Sequence, residues 1–322
     1  MKVAFVGKGG SGKTTMAALF ARRAVHEGRR VFAVDADINQ HLAVALGLSE
    51  AEAVTLPLLG EHVAEIKNHL RGDNRRIASA EAMIKTTPPG RGSRLLSLDD
   101  GDELLQRLTR SVVGLRLAVT GGFAEGDLGV ACYHSKVAAV ELMLNHLADG
   151  PGEYVVVDMV AGAEAFASGM FTRFDRTFVV CEPTVRSVGV YHQYVEHAAD
   201  YEVPISVIGN KVDEPGDVTF LREHVGEALL GWCGRSAYVK AMERGRVAPI
   251  EDVEPANLAV VDAARALVDR EGQDWERLTR HAHLFHLRNA NAWGNDRVGV
   301  DLAEQIDPDF VMGCGVSAVS GF

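Results

Sequence analysis

Cysteine is scarce in this chain. Four residues in 322, Cys132, Cys181, Cys233 and Cys314, stand too far apart to frame a disulfide-stapled fold. They read as reduced thiols, and any special role has to be argued singly. No apolar run approaches the roughly 18 residues that a membrane-spanning helix requires. The first ten residues, MKVAFVGKGG, enter a strand and a glycine loop directly rather than a targeting leader. The reading is a cytoplasmic protein without a membrane partner. Positive charge is also in short supply: Lys and Arg number 33 against 44 Asp and Glu, a formal net charge of −11. The acidic excess is spread along the chain, which argues against broad affinity for nucleic acid or anionic lipid. There is no internal repeat and no low-complexity tract.

What is present is a hydrophobic fraction of 47% in a chain long enough to bury a full-sized core. Short apolar runs bounded by Gly, Asp or Asn predict strands over 2–7, 30–35, 115–120, 153–159, 176–182 and 204–210. Amphipathic stretches between them predict helices over 14–28, with Gly28 as the terminating glycine, over 135–150, with Ser135 as its N-cap, and over 185–201. A further capped helix is expected from about 253, closing the core by about 272. The alternation gives an α/β fold: a doubly wound, mostly parallel sheet with helices on both faces, its ligands expected beyond the carboxyl ends of the strands. Residues 49–113 break the alternation and read as an insertion, with a helix around 61–70. Residues 273–322 show no clear period and read as an extension that packs on the core or on a partner. The division is thus a core domain over 1–272 and an extension after it.

The strongest signal is VGKGGSGKTT, residues 6–15. Gly7 to Thr14 satisfies G-x-x-x-x-G-K-[ST], directly after a predicted strand and at the start of a predicted helix. Gly9, Gly10, Ser11, Gly12, Lys13, Thr14 and Thr15 then form a loop and helix start whose backbone N–H groups converge on phosphates. Lys13 should reach the β- and γ-phosphates, and the Thr14 hydroxyl should coordinate Mg²⁺. Two more strand ends carry carboxylates suited to magnesium and to the attacking water: Asp35 and Asp37 in VDADINQH, and Asp158 in VVVDMVAGAE. Asp158 reads as the magnesium-side acid and Asp37 as the water positioner. In GNKVD, Asn210 can bond a purine edge while the Lys211 stem packs on the ring. Asp213 makes this N-K-x-D, which in many nucleotide hydrolases reads guanine, so the base stays open between adenine and guanine.

One lysine in this loop is unexplained by a single subunit: Lys8, five positions before Lys13. K-G-G-x-G-K-T-T with Lys8, the following DAD, DMVAGAE and NK, in this order and spacing, resembles the deviant-Walker-A ATPases of the MinD/ParA and nitrogenase-iron-protein class over about residues 1–270. The resemblance implies ATP and Mg²⁺ as cofactors and a homodimer formed on ATP binding, with Lys8 crossing the interface to the partner's phosphates. A second cation there would stabilise the transferring phosphoryl group as an arginine finger does. Within the class, residues 155–190 look most like the CooC-type ATPases that assist nickel insertion into carbon monoxide dehydrogenase. Those proteins carry a C-x-C pair that meets its copy across the dimer. Here Cys132 and His134 make C-x-H, and two such pairs would form a tetrahedral set suited to Zn²⁺, with Ni²⁺ as the alternative. An iron-protein reductase is excluded, because it needs a second cysteine just after the switch aspartate and none lies between Asp158 and Arg176.

A second cluster, His281, His283 and His286 in HAHLFH, reads as a partly packed group rather than a metal site. Three functions remain in view. The first is an ATP-dependent dimeric switch that helps mature or activate a client protein. The second is a positioning or partition ATPase, which the neutral-to-acidic C-terminus ill suits to a membrane. The third is a GTPase of the hydrogenase- or urease-maturation kind, favoured by Asp213 and opposed by Lys8.

Overall fold

The computed structural model describes residues 1–99, 101–122, 133–159 and 163–313, with backbone alone for 133–135 and 163–165. Eight strands form one sheet: β1 (Lys2–Val6), β2 (Arg30–Ala36), β3 (Arg110–Val112), β4 (Leu115–Val119), β5 (Glu153–Met159), β6 (Arg176–Cys181), β7 (Ile205–Gly209) and β8 (Leu229–Trp232). Their order is β3-β4-β2-β5-β1-β6-β7-β8, and every pairing is parallel except β3 with β4. The six expected strands are all present. The two that the sequence did not reveal are edge strands: β3 has three residues, and β8 has a glycine at Gly231 and an irregular register against β7. Short edges carry little of the period that marks a buried strand.

The central strands are apolar on both faces because both are covered. Val3, Phe5, Val31 and Ala33 pack into one core with helices Lys13–His26 and Pro255–Glu271. The alternate residues Ala4, Val6, Phe32 and Val34 pack into a second with helices Tyr133–His146 and Val185–Ala198. The first helix ends as expected, with Gly28 at φ 76°. The expected 135–150 helix is shifted: it runs Tyr133–His146, so Ser135 lies inside the first turn and not at the cap.

In the 49–113 segment, helix Val63–Arg71 appears where one was expected. The larger surprise is after residue 272, where helix Trp275–Asn289 continues through a wide turn, Ala290–Gly294, into Asn295–Val298. Its apolar face, Leu278, Ala282 and Phe285, follows helical spacing, but buried Arg277, His281, His286 and Asn289 interrupt it. Those polar residues hid the period. Phe285 enters the second core beside Phe171 and Tyr201.

Candidate nucleotide-binding site

β1 runs out at Val6, and helix Lys13–His26 follows the loop 7–12 without an intervening element. A Cβ at Gly7 would lie 2.4 Å from the Ser11 hydroxyl and 2.6 Å from the Val180 carbonyl, so the loop leaves the strand by a path open to glycine alone. Gly12 has φ 96°, and a Cβ there would meet Asn210 Nδ2 at 2.1 Å. The Ser11 N–H donates to the Lys8 carbonyl at 2.9 Å, curling the loop. Gly9 and Gly10 are exposed, with open space where a Cβ would stand. The helix has no side-chain cap and no acidic residue in its first turn. Its leading N–H groups and the positive end of its dipole are thus free to take an anion.

The carboxylates reach the loop by strand register. Asp35 of β2 is paired with Asp158 of β5, and parallel partners in register share a face of the sheet. Both are fully buried. Asp35 accepts the backbone N–H groups of Leu42 at 2.8 Å and Asp37 at 3.2 Å, and so shapes the loop after β2. Burial, and then the charge of Asp158, pushes the Asp35 carboxyl up to about 8. Burial also raises Asp158, against the pull of Lys13 and the Thr14 hydroxyl. Lys13 Nζ bonds Asp37, stands 3.4 Å from Asp158 Oδ1 and lies 3.5 Å from Thr14 Oγ1. Burial works against its charge, but Asp158 and Asp37 together hold its pKa above the usual lysine value. At Asp37 burial is likewise outweighed, by the Asn39 N–H and by Lys13, so its carboxyl stays below the ordinary range.

Two buried polar atoms in this cluster, Ser11 Oγ and Asp158 Oδ2, have no hydrogen-bond partner among the described residues. An uncapped helix start, an open glycine loop, an ammonium, a hydroxyl and an under-used carboxylate fit a nucleotide triphosphate with a hard divalent cation. No group of three or more His, Cys, Asp or Glu among the described residues is arranged to hold a metal alone. Thr14 and Asp158 would hold Mg²⁺ jointly with phosphate oxygens, as that small, strongly hydrated ion is usually held.

Asn210 and Lys211 do something that the sequence did not suggest. Asn210 Nδ2 donates to the Ser11 carbonyl at 2.7 Å, and Lys211 Nζ donates to the Gly10 carbonyl and to Glu182 Oε1, each at 2.6 Å. The end of β7 thus clamps the phosphate loop, and Glu182, after β6, completes the clamp. Glu182 lies within the 155–190 stretch, but nothing in the sequence gave it a role. Asp213 is bound through both oxygens to Arg235 Nε, at 2.9 and 3.1 Å. Thr15 follows on the first turn, half-buried. Lys8 is half-buried, and its ammonium makes no hydrogen bond or ion pair among the described residues.

Cys132 and Cys314 lie outside the described residues, as does the His134 side chain. Cys181 and Cys233 are free, buried thiols pushed up to about 12 by burial, which makes them inert packing groups. His281 and His286 are buried, His281 edge-on to Tyr201 and His286 between Thr86 Oγ1 at 3.3 Å and the Leu302 carbonyl at 3.0 Å. No helix among the described residues is long and apolar enough to cross a membrane.

The sequence profile of the CobQ/CobB/MinD/ParA nucleotide binding domain matches residues 3–246. The carbon monoxide dehydrogenase accessory protein CooC of Rhodospirillum rubrum is 29% identical over 259 residues, 80% of this chain and 91% of that protein. An uncharacterized ATP-binding protein of Methanocaldococcus jannaschii is 30% identical over 237 residues, 72% of this chain and 84% of that protein. Among solved structures, the MinC:MinD cell division complex of Aquifex aeolicus superposes with a TM-score of 0.53 at 19% identity, over 83% of this chain and 95% of that one, a likeness of fold.

Proposed function

Because the chain belongs to the CobQ/CobB/MinD/ParA nucleotide-binding family, we propose that it works as an ATP-gated dimeric switch that assists the maturation or activation of a partner protein. That it is a P-loop ATPase follows from the family. The dimer and the client go further. The observation that supports the dimer is the contrast between the loop's two lysines. Lys13 is held by Asp37 and Asp158 of its own subunit, whereas the Lys8 ammonium has no partner within it among the described residues. A cation left over beside an exposed Gly9-Gly10 edge suits the phosphates of a second subunit facing it.

In this reading Lys13, Thr14, Thr15 and the N–H groups of residues 9–12 bind the triphosphate. Asp158 and Thr14, with Asp35 behind them, hold Mg²⁺, and Asp37 orients the attacking water. Bound Mg²⁺ would neutralise charge on the phosphates. Asn210 and Lys211 keep the loop shaped from the base side. Asp213 meets Arg235 in an exposed ion pair, and it is the ATP-binding relative that favours ATP over GTP. The accessory role that the R. rubrum relative's name carries supports a client that is a metalloenzyme, with Cys132 and His134 of two subunits holding Zn²⁺ or Ni²⁺ at the interface.

Lys8→Ala tests the dimer. The variant is expected to bind MgATP as the wild type does, to stay monomeric by light scattering when ATP is added, and to lose hydrolysis by about 10³-fold or more, on the order of an arginine finger's worth. Unchanged turnover would refute the proposed switch.

A further inference from the structure

At the amino ends of β1 and β6, across the sheet from the phosphate loop, lies a cavity of about 30 Å³. Lys2, Pro88, Asn145, Arg173, Trp275 and His283 are among the residues that line it. Besides Lys2 and Arg173, it is bordered by the turn at 88–89, helix Tyr133–His146, helix Trp275–Asn289 and the segment of Phe310 and Met312.

The polar groups in this wall are unfinished. Arg173 is 3% exposed; its Nη1 donates to Thr172 Oγ1 at 3.3 Å, but Nε and Nη2 have no partner among the described residues. Asn145 is 6% exposed, and neither its side-chain atoms nor His283 Nε2 have a partner among the described residues. Lys2, by contrast, is finished: its ammonium donates to Asp149 at 2.6 Å and stands 4.3 Å over the Trp275 ring.

A buried guanidinium with unmade hydrogen bonds is strongly destabilising unless an anion meets it. The carboxyl that feels its charge, Glu141, makes no hydrogen bond to it, and burial pushes that group up to about 7. Lys85 acts on Glu141 with the same sign as Arg173. The Arg173 charge also reaches His281, His283 and His286 on the C-terminal helix, with Asp307 opposing it at His283. Asp149 and Asp175 stand against Lys2 and the N-terminus, which leaves Arg173 as the cation of this wall with no anion bonded to it among the described residues, and the space suits a group of a few heavy atoms.

We propose that this cavity is a second ligand site, which takes a small oxyanion of the phosphate or carboxylate class on the guanidinium of Arg173 and the side-chain amide of Asn145. Arg suits such a ligand because its planar fork presents parallel N–H groups to two oxygens. The Asn145 amide and His283 supply further donors.

The test uses the full chain with saturating MgADP, so that the phosphate loop is occupied, at constant ionic strength. Chloride is replaced by phosphate, sulfate or acetate while thermal unfolding and calorimetric binding are followed. We expect a saturable rise in Tm with one site per chain. Arg173→Met should abolish it, and Asn145→Ala should weaken affinity about tenfold, the size of one lost charge-assisted bond. Should Arg173→Met not fold, Arg173→Lys, which keeps the charge but loses the fork, should weaken binding in the same assay. A response to phosphate and sulfate alone assigns a phosphate-type ligand, and one to acetate alone a carboxylate. Lys13→Ala, assayed without nucleotide, should retain the response. No anion-specific shift in the wild type overturns the proposal, and so does a shift that survives Arg173→Met or disappears with Lys13→Ala.

Discussion

Lys8 and Lys13 sit five positions apart in one loop, and their surroundings differ as much as their sequence roles suggested. Lys13 is drawn into a carboxylate cluster, while Lys8 finds nothing in its own subunit among the described residues. A side chain with no partner among the described residues adds little to stability, and the proposed switch has it act across an interface. In the proposed switch Cys132 and His134, whose C-x-H spacing would supply half of a tetrahedral set, would likewise need a second copy for the rest. Wild-type protein is expected to carry about one Zn²⁺ or Ni²⁺ per dimer, measured by elemental analysis after dialysis, and Cys132→Ser to carry none. Equal, negligible metal in both would remove that site. At this scale the sequence singled out the loop, the strand-end acids and Asn210 with Lys211, yet gave no sign of what the last two touch within the folded chain. It places them where a base would lie, and only the folded chain shows their amide and ammonium on the carbonyls of Ser11 and Gly10.

Helix Trp275–Asn289 shows how an element can escape notice. A period is legible when buried positions are apolar, and here four buried positions are Arg277, His281, His286 and Asn289. Three of these polar residues find specific partners instead: Arg277 the Phe174 carbonyl at 3.1 Å, His286 the Leu302 carbonyl, Asn289 the Phe285 carbonyl at 2.8 Å. The apolar anchor is Phe285, 5% exposed, 5.7 Å from the Phe171 ring and seated so closely on Gly169 that a Cβ there would meet its ring at 2.1 Å. Phe285→Ala is expected to lower unfolding stability by about 3–5 kcal/mol, the usual cost of emptying a buried aromatic site. Urea denaturation measures it. A loss below about 1 kcal/mol would mean that the helix frays without disturbing the core.

Across the whole molecule, buried ionisable groups set how stability follows pH. His286 is fully buried and held down to about 4, chiefly by desolvation. Unfolded, it takes a proton near 6.5, while the native state refuses one until about 4. The unfolded chain therefore binds more protons between those values, and the native contribution, complete above about 6.5, is lost as pH falls toward 4. His286→Gln removes that dependence. The stability gap between wild type and variant should narrow by about 3 kcal/mol from pH 7.5 to 4.5, the size of such a shift. A gap constant over that range would show that the imidazole is not desolvated. By itself the sequence determined the parallel sheet, the phosphate loop and the acids at the strand ends, because these depend on local pattern: apolar runs, glycine spacing and the residues just past each strand. The tertiary structure decided the pairing of Asp35 with Asp158, the clamp from β7 onto the loop and the Arg173-lined cavity at the opposite pole. Each of these joins residues far apart in the chain, and it is strand register and helix packing, which no local spacing records, that bring them within bonding distance.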